Sequence, residues 1–593
     1  MTDFVWTVPC SVENIDSIDL GIQLYPHIKS ILVKRGIDTA QKFLEYSKPH
    51  TENLHSPWLM IDMKKAVERI VRALNEHQKI LVYGDYDVDG TTAIALVYSF
   101  LQKKTADVDF YVPDRYKEGY GVSEIGIQKA IADGVQVIIT LDCGIKANHT
   151  INIARQAGID VIVCDHHNQG DVLPPAYAIL DPKRTDETYP FKELSGCGVG
   201  FKLLHAICEY EYEIFRPMCS LEDYLRTNLY CYLDYVAIST AADIVPIVGE
   251  NRIYMYYGLK KMLQKPLLSV KMMLANAKLI VIYNQNEEDQ IVAPSPLTVS
   301  DIVFKIAPKI NAAGRMCSAH SAIKLLLAQT PEEACSYFTT VVENNNDRRE
   351  KENIICKEAD AMILSDNSFS QKSTTVLYKD TWHKGVVGIA AAKMIEKYYK
   401  PTIILCGDGD IISGSARSVE GFDLYSAIEA CSDLLSAFGG HTHAAGLSMP
   451  KENFEPFCKK FDVVVSERIT ENQKSPSIQI DEEITLDNIT NDFYSQIQYM
   501  APFGPQNMEP VFAIRGIVPD SVYFMGGENN HIKLNFRNVD NTFISAVGFG
   551  MAEKWRTIPP KNKIDICFTI VTNVFRGNTS LQLQLKDIKR SEL

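Results

Sequence analysis

Two rhythms of apolar and polar residues divide this chain. Between residues 79 and 180, short β-branched runs alternate with segments of helical spacing. The runs 80–83, 108–112, 135–140, 160–163 and 178–180 predict strands, and 92–102, 123–132 and 148–157 predict the helices between them. Runs that are apolar throughout belong to strands covered on both faces, and helical connections between such strands make a parallel, doubly wound sheet. The alternation restarts near residue 374, with strands expected at 375–378, 402–406 and 411–413 and helices at 387–398 and 424–436. Towards the C-terminus the period drops to two. Strands are expected at 531–536, 542–549, 564–571 and 581–585, most cleanly in Leu581-Gln582-Leu583-Gln584-Leu585, and together they predict a small antiparallel barrel or sandwich.

The remaining stretches carry helical patterns. Residues 1–75 read as polar helices, and 198–263 as helices interrupted by Thr240-Ala241-Ala242-Asp243-Ile244-Val245-Pro246. A run from about 331 to 364 predicts one long connecting helix, and the polar residues 284–290 an exposed excursion. With 593 residues, 46% of them hydrophobic, the chain can bury several cores, so three or four domains are expected. No apolar run approaches the roughly 20 residues of a membrane helix, and the opening Met1-Thr2-Asp3-Phe4-Val5-Trp6 lacks the basic, apolar character of a secretion signal. None of the 14 cysteines forms a Cys-x-x-Cys pair, which fits a reducing, cytoplasmic setting. A net charge of −14 disfavours non-specific coating of nucleic acid but is compatible with a local basic channel.

The chemistry gathers at strand ends. Gly84-Asp85-Tyr86-Asp87-Val88-Asp89-Gly90 follows the first run, Leu141-Asp142-Cys143-Gly144 the third, and Cys164-Asp165-His166-His167 the fourth. Ligands of parallel sheets bind beyond these carboxyl ends. Carboxylates crowded there repel one another unless a cation lies between them. Hard carboxylates with imidazole, and no thiolate pair, suit Mn²⁺ or Mg²⁺ better than structural zinc. Each acidic loop alone could simply cap a helix, as Asp89 might before Gly90-Thr91. An EF-hand is a weak alternative, because the twelfth position from Asp85 is Leu96 and not Glu. Taken together the motifs predict a catalytic metal centre, with Cys143 and Cys164 as small buried neighbours.

The ordered set Asp-x-Asp-x-Asp-Gly, Leu-Asp-Cys-Gly, Asp-His-His and Ala-Asp-Ile-Val-Pro resembles the DHH phosphoesterases. Further segments resemble the RecJ branch of that superfamily: Val112-Pro113-Asp114-Arg115-Tyr116-Lys117-Glu118-Gly119-Tyr120-Gly121, Ser195-Gly196-Cys197-Gly198-Val199-Gly200-Phe201-Lys202 and Ile310-Asn311-Ala312-Ala313-Gly314-Arg315-Met316. His383-Lys384-Gly385, Ser413-Gly414-Ser415-Ala416-Arg417-Ser418, Gly439-Gly440-His441 and Phe503-Gly504-Pro505-Gln506-Asn507 extend the likeness over roughly residues 45–590.

The resemblance implies an α/β fold: a parallel-sheet DHH domain and a smaller DHH-associated α/β domain joined by a long helix, then a C-terminal antiparallel β-barrel of the OB type. The implied division is an N-terminal helical segment (1–75), the DHH catalytic domain (76–265), a helical segment with the connector (266–370), the DHH-associated substrate-binding domain (371–465) and the OB-fold nucleic-acid-binding domain (466–593). Two divalent cations, Mn²⁺ or Mg²⁺, are implied. Asp87 and Asp142 with Asp85 would hold the first; Asp89, Asp142, His166 and Asp243 would hold the second, Asp142 bridging. Some branches carry His in place of Asp85. His167 would act beside Asp142, touching a metal or the scissile phosphate, and Asp165 would orient an imidazole. Arg115, Arg315 and Arg417, in Gly-flanked or turn segments, match substrate-binding motifs; Asn311 and Ser415 would join them in binding substrate, Ser415 and Arg417 receiving a 5′-terminal phosphate. Gly439, Gly440 and His441 would contact the nucleic-acid chain, and Gly385 could present helix amides to a phosphate. In the barrel, Tyr523, Phe524, Phe536, Arg537, Phe575 and Arg576 are candidates for base stacking and phosphate contact.

The implied activity is a single-stranded-DNA-specific 5′-to-3′ exonuclease of recombination and repair, a cytoplasmic monomer with no membrane contact. One rival is a DHH phosphodiesterase of short oligonucleotides or cyclic dinucleotides, against which the additional barrel counts. The other is a non-catalytic DNA-binding scaffold like the RecJ-related subunit of the eukaryotic replicative helicase, against which the full acidic constellation counts.

Overall fold

The computed structural model describes residues 4–8, 12, 15–285, 288–538, 542–559, 562–575 and 578–592. The first α/β unit is a five-stranded, all-parallel sheet in the spatial order Val108–Tyr111, Ile80–Gly84, Val137–Leu141, Asp160–Cys164, Ala178–Leu180. Its strands are apolar throughout because alternate residues enter different cores. Ile80, Val82, Val137 and Ile139 pack with the helices Met63–Asn75, Val88–Gln102 and Gly196–Phe215, while Leu81, Tyr83 and Ile138 pack with Glu124–Ala132 and Asn148–Gln156. The chain steps outward from Ile80–Gly84 to Val108–Tyr111, then returns to the other side at Val137–Leu141. That reversal opens a crevice at the ends of the two central strands, where Asp85–Asp89 and Asp142 lie.

The helix Pro331–Ser365 spans about 50 Å at 1.5 Å per residue. Ala334 and Val341 belong to the core of the first unit, whereas Ile355, Ala359 and Ile363 pack with Trp382, Val386 and Met394 of the second. One rigid element therefore sets the distance between the two units.

The second unit is a five-stranded mixed sheet ordered Ala437–His441, Ala444–Pro450, Ile411–Arg417, Thr402–Asp408, Thr375–Lys379, parallel only between the last two. Two expectations change here. The strand expected at 411–413 continues to Arg417, because Gly414, Ser415 and Ala416, poor strand formers alone, are paired on both sides. The helix expected at 424–436 stops at Glu429; Ser432–Leu434 is a 3₁₀ turn, and Ala437–His441 is an edge strand. Residues 284–290, expected as an excursion, belong to a hairpin of Val281–Gln285 with Glu288–Val292 whose residues 286 and 287 lie outside the described set.

The C-terminal sheet has seven strands and includes Phe512–Ile517 and Ser521–Met525, which the alternation did not reveal. Its pairing is antiparallel except where Glu482–Glu483 meets Phe512 and Ala513, and where 545–547 meets 582–584. Both exceptions join strands that no hairpin connects. The N-terminal segment is not an independent helical unit. Leu20, Ile28, Ile31, Leu32 and Phe43 share one core with Phe493, Phe512, Phe536 and Phe568 of the C-terminal region, and Val5–Thr7 pairs in parallel with Ser477–Gln479. Arg252 fastens this composite to the first unit, donating to the carbonyls of Tyr46, Tyr499, Met500, Ala501 and Pro502 at 2.7–3.4 Å. No described helix is long and apolar enough to cross a membrane.

Candidate metal centre and phosphate-binding cleft

The strand Ile80–Gly84 delivers the chain into the helix Val88–Gln102, whose N-cap is Asp87, accepting from the Gly90 amide at 3.1 Å. A Cβ at Gly90 would lie 2.6 Å from backbone atoms of Asp85, so only glycine lets the acidic loop fold back this tightly. Asp89 is held elsewhere: its oxygens accept from the amides of Gly196 and Cys197 at 2.6 and 2.7 Å, and from the Ser239 hydroxyl at 2.7 Å. The amino end of the helix Gly196–Phe215 thus orients one carboxylate of the cluster. Asp142 ends its strand in the left-handed region (φ 59°), which Asp and Asn tolerate better than most side chains. Asp243 follows the helix Leu233–Ala242.

These residues form three groups whose ligand atoms lie within 4.8 Å of one another: Asp85, Asp87 and Asp142; Asp89, His166 and Asp243; and Asp142, His166 and His167. His166 Nε2 is 3.2 Å from Asp142, and 3.6 Å from both Asp89 and Asp243. Burial first, then neighbouring carboxylates, pushes Asp85, Asp142 and Asp243 well above the usual carboxylate range, and Asp87 is raised by burial and Asp89. Burial lowers His166, which favours the neutral imidazole a metal requires. Asp85 Oδ1 and His166 Nδ1 are buried without a partner. Oxygen and imidazole donors, mutual carboxylate repulsion and an orphaned oxygen all fit hard divalent cations. Cys143 and Cys164 are buried, and the Cys143 thiol donates to the Leu141 carbonyl at 3.4 Å.

Asp165 stands behind the cluster. It accepts from His167 Nδ1 at 2.8 Å and from the amides of His166 and Ile145 at 2.7 and 2.9 Å. Burial alone would raise its carboxyl, but the His167 bond and charge outweigh it and hold it at about 2. The same pairing overcomes burial to raise His167. Sequence reasoning missed Asp181, which follows the last strand of the sheet as the others follow theirs. It is buried, accepts from the Lys183 amide at 2.7 Å, and is pushed up to about 7 by burial and by Asp165.

Beside the acidic cluster lie the arginines. Arg115 sits in a turn with its guanidinium 5.0 Å from the Tyr86 ring centroid. Asn311 and the Gly-flanked Arg315 are on the helix Ala307–Met316, and Arg417 ends the central strand of the second sheet. Burial, then Arg115, Arg417 and Arg348, lowers Arg315 to about 10; burial and Arg115 also lower Arg417. Arginines crowded closely enough to weaken one another's charged forms make a site for an anion. Arg417 donates to Ser415 Oγ at 2.7 Å, and a Cβ at Gly388 would lie 3.0 Å from both side chains, so the helix Val387–Tyr398 begins against the pair. The sheet register carries Ser415 through Gly446 to Gly439, and Arg417 through Ala444 to His441. Gly439, Gly440, His441 and Gly446 are exposed, leaving an open floor of small residues about two strand spacings (roughly 10 Å) wide beside Arg417.

In the barrel, Phe536 is fully buried in the core and cannot stack on a base. The Phe575 side chain and Arg576 lie outside the described residues. Tyr523 and Phe524 are exposed, but Phe524 is covered by the Arg556 guanidinium, 5.0 Å from its ring centroid. Tyr523 shares one sheet face with Lys533, Asn535 and Arg537, and Arg537 lies 5.0 Å from the exposed Phe543 ring. Lys533 and Phe543 were not singled out beforehand, although each falls in an alternating strand.

A switch-point crevice with clustered carboxylates and histidines, and arginines beside them, is the site of a phosphoesterase of the DHH class. The DHH family N-terminal domain matches residues 79–231, the DHHA1 domain 371–467 and the RecJ OB domain 480–587. The chain belongs to the RecJ family. It is 34% identical over 584 residues to the single-stranded-DNA-specific exonuclease RecJ of Bacillus subtilis, covering 98% of this chain and 70% of that protein. To the Salmonella typhimurium protein of the same name it is 30% identical, covering 97% of this chain and 98% of that one. The crystal structure of Thermus thermophilus RecJ in complex with Mn²⁺ superimposes with a TM-score of 0.80 at 22% identity, covering 99% of this chain and 80% of that one. A RecJ structure bound to manganese gives 0.57 at 26% identity, covering 70% and 96%.

Proposed function

We propose that this protein is a single-stranded-DNA-specific exonuclease that hydrolyses phosphodiesters from the 5′ end with two divalent cations, Mn²⁺ or Mg²⁺, in recombination and repair. The observation that carries the reading is that the buried Asp85–Asp87–Asp142 and Asp89–His166–Asp243 groups stand next to the mutually close Arg115, Arg315 and Arg417. In our reading Asp85, Asp87 and Asp142 hold one cation and Asp89, Asp142, His166 and Asp243 the other. Such a pair, when bound, supplies a water of lowered pKa and neutralises charge at phosphorus. The chain's own residues do the rest. Asp165 fixes the His167 tautomer, and His167 meets the scissile phosphate or a metal. Arg115 and Arg315, with Asn311 alongside, neutralise the strand near the metals. Ser415 and Arg417 take the terminal phosphate, while Gly439, Gly440 and His441 let the backbone approach closely.

The 5′ polarity rests on the Ser415–Arg417 pocket, which suits a terminal monoester dianion better than an internal diester. The barrel face of Tyr523, Lys533, Arg537 and Phe543 would hold the strand beyond the cleft. Cytoplasmic location and a monomeric state accompany this reading. Digestion of 5′-labelled and 3′-labelled single strands, with duplex as control, tests it. Early release of the 5′ label from single strands alone is expected, and early release of the 3′ label would refute the polarity. Preferential cleavage of dinucleotides over long strands would instead favour the short-oligonucleotide phosphodiesterase.

A further inference from the structure

The loop of residues 113–121, between the edge strand Val108–Tyr111 and the helix Glu124–Ala132, is built as a stiff unit. The Asp114 carboxylate accepts from the amides of Tyr116 and Lys117 at 2.9 and 3.0 Å, and its carbonyl from the amides of Glu118 and Gly119 at 2.9 and 3.2 Å. Glu118 in turn accepts from the Asp114 amide at 2.8 Å and from the Tyr111 hydroxyl at 2.9 Å. Gly119 and Gly121, with φ of 83° and 88°, flank Tyr120 and turn that one side chain out across the metal centre.

The Tyr120 hydroxyl lies 3.2 Å from the Asp142 carbonyl oxygen and 3.2 and 3.3 Å from the two ring nitrogens of His167. The hydroxyl is thus nearly equidistant from the two ring nitrogens, of which Asp165 already engages Nδ1. The two rings meet edge to face at 5.7 Å. At the other end of the loop, the Tyr116 hydroxyl donates to the Arg315 carbonyl, and its ring lies edge-on to His383 at 6.4 Å. Gly385 packs into the same contact: a Cβ there would lie 2.5 Å from the Arg315 carbonyl oxygen. One loop therefore touches the turn of the central carboxylate, the His167 imidazole, the arginine helix and the second α/β unit.

We propose that Tyr120 is a positioning residue of the metal centre, whose hydroxyl fixes the His167 imidazole and the Asp142 turn from the substrate side, with Tyr116 fastening the loop to the helix that carries Arg315. This rests on the nuclease reading above. An imidazole held only at Nδ1 can rock about that bond, whereas a second partner fixes the plane of the ring. The Asp142 carbonyl, in a left-handed turn at the end of its strand, gains the donor that the turn itself does not supply. Misplacement of a reacting geometry by about 1 Å can cost roughly a hundredfold in rate, so a hydroxyl with no direct part in the chemistry can still matter.

The test uses the full-length, Mn²⁺-loaded protein and the variants Tyr120→Phe, Tyr120→Ala and Tyr116→Phe. Steady-state digestion of a 5′-phosphorylated single strand is read together with hydrogen–deuterium exchange of residues 113–122. Tyr120→Phe should lower kcat by about ten- to a hundredfold with KM nearly unchanged. It and Tyr116→Phe should both speed loop exchange at least about fivefold while the barrel strands stay as protected as before. If Tyr120→Phe keeps wild-type turnover and protection while Tyr120→Ala loses both, ring packing is what matters and the proposal is overturned. If the wild-type protein digests no DNA, the nuclease reading fails, and exchange alone decides the loop: equal rates in wild type and both Phe variants would overturn it.

Discussion

Replacing Asp142 by Asn should make the metal-free protein more stable while removing its activity. Asp142 shares one group with Asp85 and Asp87 and another with His166 and His167, all within 4.8 Å. At that separation and an effective dielectric near 20, each pair of like charges costs roughly 3–4 kcal/mol. Proton uptake caps the cost, so a net gain of about 2–4 kcal/mol is expected for Asp142→Asn in EDTA at pH 8. Asn is the informative replacement, because residue 142 has φ 59° and an Ala there would add strain of about 1–2 kcal/mol, masking the gain. The sign with pH follows from the shifts. Asp85, Asp142 and Asp243 are raised above their unfolded values, so the folded state binds protons more tightly. Metal-free stability should therefore fall as pH climbs above the ordinary carboxylate range, and the advantage of Asp142→Asn should shrink towards pH 5. Thermal melts in EDTA and in Mn²⁺ at both pH values read these effects. Mn²⁺ should raise the wild-type midpoint strongly and that of Asp142→Asn little, because a ligand stabilises only the state that binds it. A variant less stable than wild type in EDTA at pH 8 would refute the reasoning, since the carboxylates would then not be straining one another.

Arg417→Ala should slow digestion of 5′-phosphorylated strands by about tenfold or more, the worth of a charged, forked hydrogen bond at roughly 1.5–3 kcal/mol, and affect 5′-hydroxyl strands less; equal losses would sink the terminal-phosphate assignment. Tyr523→Ala with Lys533→Ala should raise KM for long single strands by about fivefold or more and leave dinucleotide cleavage almost unchanged, because each stacked base contributes about 1–3 kcal/mol only when the strand reaches the barrel. Removing the barrel near Ser475 is the poorer experiment, as Ile28, Ile31, Leu32 and Phe43 would lose their core. Asp181→Asn should stabilise the metal-free protein increasingly as pH rises from about 4 to about 7, because the unfolded carboxyl ionises there while the buried one keeps its proton, and make little difference at pH 4; a pH-independent gain in denaturant midpoint would count against that cause. Arg252→Ala should cost at least about 3 kcal/mol in chemical denaturation, since several carbonyls lose their donor together.

Much of the candidate metal centre's grouping was readable from order alone. Asp85, Asp87, Asp89, Asp142 and His166 each follow an apolar run, and in a parallel sheet every such run ends on the same edge, so local pattern translates directly into proximity. The sequence by itself also determined the parallel sheet, the long connector and the alternating strands near the C-terminus, because these depend on periodicities of a few residues. What it left open depends on contacts between distant segments. Gly414-Ser415-Ala416 becomes a central strand only because neighbours pair with it on both sides. Phe536 and Tyr523 lie in adjacent strands of one barrel, yet one enters the core and the other faces outward, since a shift of one residue in register exchanges the faces. The helices after residue 20 appeared independent until the fold laid their apolar faces against a barrel formed by the other end of the chain. Tyr120 and Asp181 escaped notice for the same reason. Tyr120 lies inside the 112–121 segment and Asp181 directly follows the last apolar run, yet neither pattern names a role, and only tertiary packing brings them to Asp142, Asp165 and His167.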